Sequence, residues 1–373
     1  MLRYQDLGVG KIINAWDTIT VYGGSRMPAE VIDAMAEASR SFVDLYELAG
    51  KAGAKIAELT HNEAAYVTAG AACGLMLSAA ACITGPDQDK INRLPDTAGL
   101  PNEIIIQKCQ RVSWDRCVRQ AGAKLGEIGA TEQTRINDLE QAISRQTAAI
   151  LYFAGSWYER HALPLDQVVQ VASSHHVPVI VDAAANLPPV ENLWRYTGIG
   201  ADLVVFSGGK ALCGPQNTGL ILGRKDLIAA CCRNGSPYSA IGRVAKVGKE
   251  EIMGVLTAVE RYLSLDHTAI LQQHEQWVAA LIDSLAGLPH IEVSRVYPGP
   301  HGQAYPRMRV AFPDTDRRNE VVRMLRIGDP SILVGTWAPD ETAIYVSPLT
   351  LNEDEVRIVA AALKSVISTI PHT

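Results

Sequence analysis

The chain has 373 residues, of which 47% are hydrophobic and 20% charged. This length suits more than one domain, and the composition excludes a disordered or fibrous protein. The net charge of −6 is spread without a basic stripe, which argues against nucleic acid as a partner. No apolar run approaches the ~20 residues of a membrane span. We therefore expect a cytoplasmic protein with no membrane contact.

An N-terminal segment, residues 1–45, precedes the first predicted sheet strand. It runs into a long helical pattern, PAEVIDAMAEASRSFVDLYELAGKAGAKIAELT, in which apolar residues recur at helical spacing. The pattern begins at Pro28, and a helix tolerates proline in its first turn. We expect this helical segment to lead into a large domain.

Short apolar runs alternate with helical patterns over residues 46–250. The runs are AAYVTAG, EIIIQK, AAILYFAG, VPVIVDAA, ADLVVFSGG and TGLILGR. Runs this apolar are typical of strands that are buried on both faces of a sheet. The pattern predicts a large α/β domain with a mostly parallel sheet covered by helices.

The first of these strands is followed by a turn of small residues and a helix, AAYVTAGAACGLMLSAAACI. The N-terminus of a helix offers free N–H groups and the positive end of a dipole, so it binds phosphate without basic side chains. Gly70, Ala71 and Ala72 are therefore candidate phosphate ligands. The alternative is an ordinary tight turn, because small residues also permit close packing.

Asp182 stands at the carboxyl end of the strand VIVD. Ligands of open α/β sheets bind outside the carboxyl ends of strands. A carboxylate there can keep a pyridine nitrogen protonated, as pyridoxal 5'-phosphate (PLP) requires when it acts as an electron sink. Taken alone, Asp182 could equally cap the helix that follows it.

Lys210 follows the next strand in the motif FSGGK, beside two glycines. A lysine in such an open, partly desolvated position can serve as a nucleophile that forms a Schiff base. Ser207 lies three residues earlier and could bind the phosphate of the same cofactor. Asp182, Ser207 and Lys210 together predict a PLP site, although any one of them alone would not.

After residue 250 the pattern changes, which predicts a small α+β domain over residues 251–373. Two long helices precede the strand-like runs IEVSRVYP, RMRVAF, SILVGTW and AIYVSP, which suggest an antiparallel sheet, and a final helix closes the chain. The segment RNGSPYSAIGR, residues 233–243, is either a linker or an ordered loop. Its Arg243 could contact an anionic ligand or simply face solvent. No cluster of ligand residues predicts a metal site.

The three motifs, in this order, resemble the fold-type I PLP enzymes. The loop FSGGKALCGPQNTG is similar to that of the selenocysteine synthase-like (L-seryl-tRNA selenium transferase-like) family, and the resemblance covers most of the chain. INAWDTITVYGGSRMP, VIVDAAANLPP and IGRVAKVGKEEIMGVLTAVE are most similar to its ammonia-lyase branch, which includes D-glucosaminate-6-phosphate ammonia lyase. Lys210 would then form the Schiff base, Asp182 would pair with the pyridine nitrogen, and Ser207 with residues 70–72 would bind the phosphate.

The resemblance also shows departures. Gln110 stands where relatives have a histidine that stacks on the cofactor ring, and Arg111 or Trp114 could take over that contact. Gly335 stands where we expect an arginine that grips a substrate carboxylate. The candidate substrate contacts are Trp16, Thr18, Arg111 and Arg243.

The resemblance implies a lyase that removes a β-substituent from a small hydroxylated or sugar-derived amino acid, giving a 2-oxo acid and ammonia. An aminotransferase, a racemase or an aldolase is the alternative, and a non-catalytic PLP-fold protein is a third. The tRNA-using relatives carry an additional RNA-binding domain before the catalytic body, so a small-molecule substrate is expected. A homodimer or larger homo-oligomer is also implied.

Overall fold

The computed structural model describes residues 2–299, 302–336 and 340–370, which divide into two compact units. The larger unit comprises Arg26–Leu265 and Pro300–Gln303. The smaller unit comprises Met1–Ser25, Asp266–Gly299 and Ala304–Thr373. Residues 26–45 and 251–265 therefore belong to the larger unit.

Strands and helices are interspersed along the chain. The strands are β1 (Ile12–Ala15), β2 (Ala64–Thr68), β3 (Glu103–Gln107), β4 (Lys124–Ile128), β5 (Thr147–Phe153), β6 (Val179–Asp182), β7 (Leu203–Ser207), β8 (Gly219–Gly223), β9 (Glu292–Val296), β10 (Arg307–Ala311), β11 (Ser331–Val334) and β12 (Ala343–Val346). The helices are α1 (Ala29–Ala38), α2 (Leu45–Leu59), α3 (Gly70–Thr84), α4 (Gln88–Arg93), α5 (Arg116–Arg119), α6 (Ile136–Ala142), α7 (Ser156–Glu159), α8 (Leu165–Ser174), α9 (Asn192–Ile199), α10 (Lys225–Asn234), α11 (Lys249–Ser264), α12 (His267–Ser284), α13 (Thr315–Ile327) and α14 (Glu353–Thr369).

The larger unit is built on one sheet with the strand order β2-β8-β7-β6-β5-β3-β4. All of its strands run in the same direction except β8, which is antiparallel to both β2 and β7. Each apolar run predicted as a strand forms one, so the mostly parallel sheet is confirmed. The sequence analysis missed β4, whose KLGEI lacks an apolar run because the strand lies at the sheet edge and is half exposed.

Helices cover both faces of this sheet, and each face has its own apolar core. One core joins the sheet to α2, α8, α9 and α11, and the other joins it to α3, α5 and α10. From Cys73 to Thr84, every residue of α3 except Cys82 is buried, as expected of a helix that is apolar on all sides. This burial holds the first turn of α3 firmly at the carboxyl end of β2.

The helical pattern predicted from Pro28 to residue 60 forms two helices, not one. Asp44 begins α2, because its Oδ1 accepts hydrogen bonds from the N–H groups of Tyr46 and Glu47 at 2.8 and 3.2 Å. Pro28 lies just before α1, so the predicted start is confirmed. The periodicity predicted helix correctly, but the capping aspartate interrupts it.

The smaller unit has its own core, in which α12 and α14 pack with the strands. An antiparallel sheet of order β12-β10-β9 agrees with the prediction, but β11 pairs with β1 in a parallel arrangement. The first strand of the chain therefore completes a unit built mostly from its end. Gly335 forms an antiparallel bridge with Tyr345, while Trp337 of the same segment lies outside the described residues.

Residues 233–243, considered above as a linker, lie inside the larger unit. The hydroxyl of Tyr66 donates a 2.6 Å hydrogen bond to the carbonyl oxygen of Ser236 and so anchors this segment to β2. The alternative of an ordered loop is therefore the correct one. Among the described residues, no helix combines the length and apolar character needed to cross a bilayer.

Candidate active site

Two neighbouring strands, β6 and β7, deliver the central candidate residues to one edge of the sheet. They pair in parallel, with Asp182 opposite Val205, so Asp182 and Ser207 both lie at carboxyl strand ends. Lys210 lies three residues after Ser207, in the connection to β8. This is the edge of an open α/β sheet at which ligands bind.

The Asp182 carboxylate is almost fully buried, with 7% of the residue exposed. Its Oδ1 accepts a 2.9 Å hydrogen bond from the N–H of Ala184. Burial raises the pKa of Asp182, while that N–H and the positive charge of Lys210 act in the opposite direction. Asp182 and Lys210 are therefore close enough to interact electrostatically.

Lys210 lies in a tightly folded loop. The N–H of Gly208 donates to the carbonyl of Thr218 at 2.8 Å, which closes the loop at its base. A Cβ atom at Gly209 would lie 2.4 Å from the Cα of Gln216, so no larger residue fits there. The glycines beside Lys210 are thus needed for close backbone packing, which holds the half-buried lysine at the strand end.

The first turn of α3 lies beside Ser207. Ser207 is opposite Gly219 in the β7–β8 pair, and a Cβ atom at Gly219 would lie 2.5 Å from the carbonyl carbon of Gly70 and 2.6 Å from the amide nitrogen of Ala71. Gly70 has a φ of +80°, a conformation that favours glycine. Ala71 and Ala72 are accessible, so this turn can present its N–H groups to an anion.

These features together fit PLP. An accessible helix start beside a serine suits the phosphate, the buried carboxylate suits a protonated pyridine nitrogen, and the lysine at the same sheet edge suits the aldehyde. The structure brings Asp182, Ser207 and Lys210 together with Gly70 and Ala71 at one sheet edge.

Gln110 lies near this edge but is completely buried, with 0% of the residue exposed. Its Nε2 donates to the carbonyl of Phe153 at 3.0 Å and its Oε1 accepts from the N–H of Phe153 at 3.2 Å. A longer bond, 3.4 Å, joins Nε2 to the carbonyl of Tyr158. Contact between Gln110 and a cofactor ring therefore stays a prediction, and this burial leaves little surface for it.

Arg111 is held by two carboxylates. Its Nε donates to Oδ2 of Asp115 at 2.5 Å, and its Nη1 pairs with Oε1 of Glu127. Hydrogen bonding to Asp115 raises the pKa of Arg111 further. An anionic substrate group would have to compete with both acids for this side chain. Trp114, the other candidate for the ring contact, is 46% exposed.

The remaining predicted substrate contacts belong to both units. Arg243 is exposed on the larger unit, in the short 3₁₀ turn Ile241–Val244. Trp16 and Thr18 belong to the smaller unit, where the Thr18 N–H and hydroxyl donate to Oδ1 of Asp17 at 2.7 and 3.3 Å. Their roles at a substrate stay predictions.

Two residues near Asp182 were missed by the sequence analysis. Burial and then the Asp182 charge raise the pKa of Tyr158 to about 12, and Asp182 also helps to raise that of Cys117. The ring of Tyr158 lies 5.9 Å from that of Phe153, centroid to centroid. Tyr158 could have been found by the rule that led to Asp182, because it closely follows the carboxyl end of β5.

Comparison with known proteins shows the family of this chain. Residues 12–273 match the family model described as L-seryl-tRNA selenium transferase. A 5'-C-glycyluridine monooxygenase-decarboxylase from a Streptomyces species is 33% identical over 98% of this chain and 92% of that protein. The D-glucosaminate-6-phosphate ammonia lyase of Salmonella typhimurium is 32% identical, over 97% of both chains.

Solved structures give the same picture. A structure of D-glucosaminate-6-phosphate ammonia-lyase superimposes with a TM-score of 0.84 at 30% identity and covers 98% of both chains. A serine palmitoyltransferase solved with PLP has a TM-score of 0.62 at 15% identity, over 96% of this chain and 89% of that one. The second likeness concerns the fold alone.

Proposed function

The chain belongs to the L-seryl-tRNA selenium transferase family, and from that premise we propose that it removes ammonia from a small hydroxylated or sugar-derived amino acid. Membership of this family confirms the predicted fold-type I fold, PLP as the cofactor and a PLP-dependent enzyme related to the ammonia lyases. The substrate and the individual residue roles are our proposal.

The observation that carries the proposal is the convergence of Lys210 and Asp182 at the carboxyl edge of β6 and β7. Lys210 would hold PLP through its amino group, and Asp182 would keep the pyridine nitrogen protonated. Ser207 and the first turn of α3, residues 70–72, would bind the phosphate. When bound, PLP withdraws electrons from the Cα atom of an amino substrate.

Once the amino group of the substrate had displaced it, the free amine of Lys210 would act as the general base that takes the proton from Cα and delivers a proton to the departing hydroxyl. Departure of a hydroxyl from Cβ as water leaves an enamine, which tautomerises and takes up water to give a 2-oxo acid and ammonia. The burial of Asp182 keeps water away from its carboxylate, which strengthens its interaction with a cationic ring nitrogen.

The test is a screen of D- and L-amino acids, including amino-sugar acids with and without phosphate, for release of ammonia and a 2-oxo acid. Lys210→Ala is the control and should release neither. Ammonia release without an added oxo-acid acceptor would support the lyase. A strict need for an acceptor would favour an aminotransferase, while loss of chirality alone or release of an aldehyde would favour a racemase or an aldolase.

A second candidate function follows from the 33% identity to a monooxygenase-decarboxylase. An oxygenase of this kind would consume O₂ and release CO₂ from its amino substrate, whereas the lyase needs no oxygen. Running the same screen in an oxygen electrode, with and without air, separates the two. Purified protein that cannot be reconstituted with PLP would favour a non-catalytic role.

The proposal also includes a cytoplasmic homodimer or larger homo-oligomer with a small-molecule substrate. The net charge of −6, without a basic stripe, supports a small substrate over tRNA, because nucleic-acid affinity depends on phosphate contacts by basic side chains. Light scattering measures the oligomeric state. Tight binding of tRNA in a filter assay would contradict the small-molecule proposal.

A further inference from the structure

We propose that Gln110 is a positioning residue. Its carboxamide extends the hydrogen bonding along the side of β5 that faces β3, and so fixes the strand end beside Asp182. This inference rests on the proposed PLP site. It assigns to Gln110 a role through the protein backbone, in place of direct contact with the cofactor ring.

The carboxamide of Gln110 bonds to β5 beyond the point at which the backbone of β3 stops pairing with that strand. Pairing between β3 and β5 ends at Ile106 and Leu151, two residues before Phe153. Gln110 then accepts from the N–H of Phe153 at 3.2 Å and donates to its carbonyl at 3.0 Å. A neighbouring strand would supply the same two hydrogen bonds, so the side chain of Gln110 replaces the backbone of β3 at this position.

Phe153 connects Gln110 to Asp182, the proposed cofactor-binding carboxylate. Phe153 is paired with Asp182 on the opposite side of β5, and the next N–H, that of Ala154, donates to the carbonyl oxygen of Asp182 at 3.0 Å. Gln110 also reaches the carbonyl of Tyr158, whose side chain interacts with the Asp182 charge. The position of Asp182 is therefore connected to Gln110 through the backbone of Phe153 and Ala154.

The burial of Gln110 favours this role over ring contact. The residue is 0% exposed, and both ends of its carboxamide are engaged by the backbone. A side chain that covers a cofactor ring must present a face to the ligand cavity. Loss of either bond would leave a buried polar group of Phe153 unsatisfied, which is costly.

The test compares Gln110→Met with Gln107→Met. Methionine keeps the volume of glutamine but makes neither hydrogen bond. Gln107 is a matched control, since it is also buried and its Oε1 accepts from the N–H of Leu163 at 2.6 Å, while among the described residues it bonds to neither Phe153 nor Tyr158. Gln110→Met should weaken PLP binding about tenfold or more and reduce the visible circular dichroism of bound PLP, whereas Gln107→Met should leave both unchanged.

Hydrogen exchange of the apoprotein gives a readout that needs no cofactor. In Gln110→Met, the amides of residues 153–159 should exchange faster than in the wild type, and in Gln107→Met the change should instead appear near Leu163. Wild-type PLP affinity in Gln110→Met, or unchanged exchange over residues 153–159, would overturn the inference.

A third variant, Gln110→His, separates the two roles directly. Imidazole can stack on a ring but cannot both donate to and accept from one backbone residue in this geometry. The positioning role predicts impaired PLP binding in Gln110→His, and unimpaired binding would instead establish ring contact. If the wild type binds PLP but releases no ammonia from any amino acid, the proposed lyase function fails and this inference is still tested.

Discussion

A Cβ atom at Gly219 would lie 2.5 Å from the carbonyl carbon of Gly70, so β8 and the first turn of α3 are in backbone contact. We expect Gly219→Ala to push that turn away from Ser207 and to weaken PLP binding at least about tenfold, because overpacking of this kind costs roughly 1–3 kcal/mol. Titration of the apoprotein with PLP, followed by visible absorption, measures the effect.

The control for this prediction is Gly50→Ala. Gly50 lies within α2, and nothing lies within 4 Å of the position of its Cβ atom. Alanine forms helix better than glycine, so this variant should gain roughly 0.5–1 kcal/mol in stability and keep its PLP affinity. Unchanged affinity in Gly219→Ala as well would show that α3 does not hold the phosphate.

Asp182→Asn should make the apoprotein more stable and the enzyme less active. Burial raises the pKa of Asp182 above its unfolded value, so the folded state holds the proton more tightly and stability falls as the pH rises through this range. At neutral pH the neutral amide removes that penalty, and its oxygen can still accept from the N–H of Ala184. Activity should fall on the order of 100-fold, because the charge that we propose to face the pyridine nitrogen is lost.

Thermal melting of the two apoproteins at neutral pH measures the stability part of this prediction. The difference in melting temperature between Asp182→Asn and the wild type should shrink as the pH is lowered, since protonation of Asp182 removes the buried charge in the wild type. Equal melting temperatures at neutral pH, or a wild type that is the more stable protein, would contradict the buried-charge argument.

His274 should make the smaller unit sensitive to acid. Burial lowers its pKa from 6.5 to about 4, and its ring packs near those of Trp277 and Tyr305 at 5.8 and 6.1 Å. Its contribution is fully present above pH 6.5 and is lost as the pH falls, since only the unfolded chain then binds the proton. The loss approaches about 3 kcal/mol near pH 4. The pKa values of the unfolded and folded states differ by 6.5 − 4 = 2.5, and a pKa difference of one corresponds to ~1.36 kcal/mol.

Chemical denaturation at a series of pH values tests this expectation. His274→Phe keeps an aromatic ring and should flatten the slope between pH 6.5 and 4 relative to the wild type. His175, which is exposed, provides the control variant His175→Gln, in which the slope should remain. A slope that persists in His274→Phe would assign the acid sensitivity to other groups.

The buried ion pair of Asp17 and Arg307 should be far more important than a surface pair of the same length. Its atoms lie 2.6 Å apart with side chains 5% and 0% exposed, and the hydroxyl of Tyr305 donates to the same carboxylate oxygen at 3.1 Å. Asp17→Asn or Arg307→Met should each cost about 3–5 kcal/mol, because the remaining partner stays buried without its counter-charge. The double variant should lose less stability than the sum of the losses in the two single variants.

The surface pair of Arg40 and Glu37 is the matched control. It has the same 2.6 Å separation, but its side chains are 70% and 73% exposed. Arg40→Met should therefore change the free energy of unfolding little. Equal losses from the two arginine substitutions in denaturation experiments would rule out burial as the cause.

The sequence predicted the centre of the fold and of the site because both are encoded locally. β6 and β7 are continuous apolar runs, Asp182 and Ser207 stand at their ends, and Lys210 follows three residues after Ser207. The missed strand β4 carries no such signal, since an edge strand needs less apolar surface. Composition thus reveals buried strands and says little about exposed ones.

The features that the sequence did not predict depend on residues far apart in the chain. Gln110 meets Phe153 across 43 positions, and Arg307 meets Asp17 across 290. Such pairs form only when the register of neighbouring elements is known. The same applies to β1, which pairs with β11 at the other end of the chain. Periodicity gives the direction of a side chain but not its partner.

The reversed strand β8 has a consequence for how the lysine loop is encoded. Because β7 and β8 are antiparallel, Leu203 pairs with Gly223 and the strands are joined through the loop that carries Lys210. The parallel pairs of the same sheet require long crossovers, whereas this segment folds back on itself at low contact order. The loop that carries Lys210 is thus closed by local pairing, and its geometry depends less on long crossovers than that of the parallel strands does.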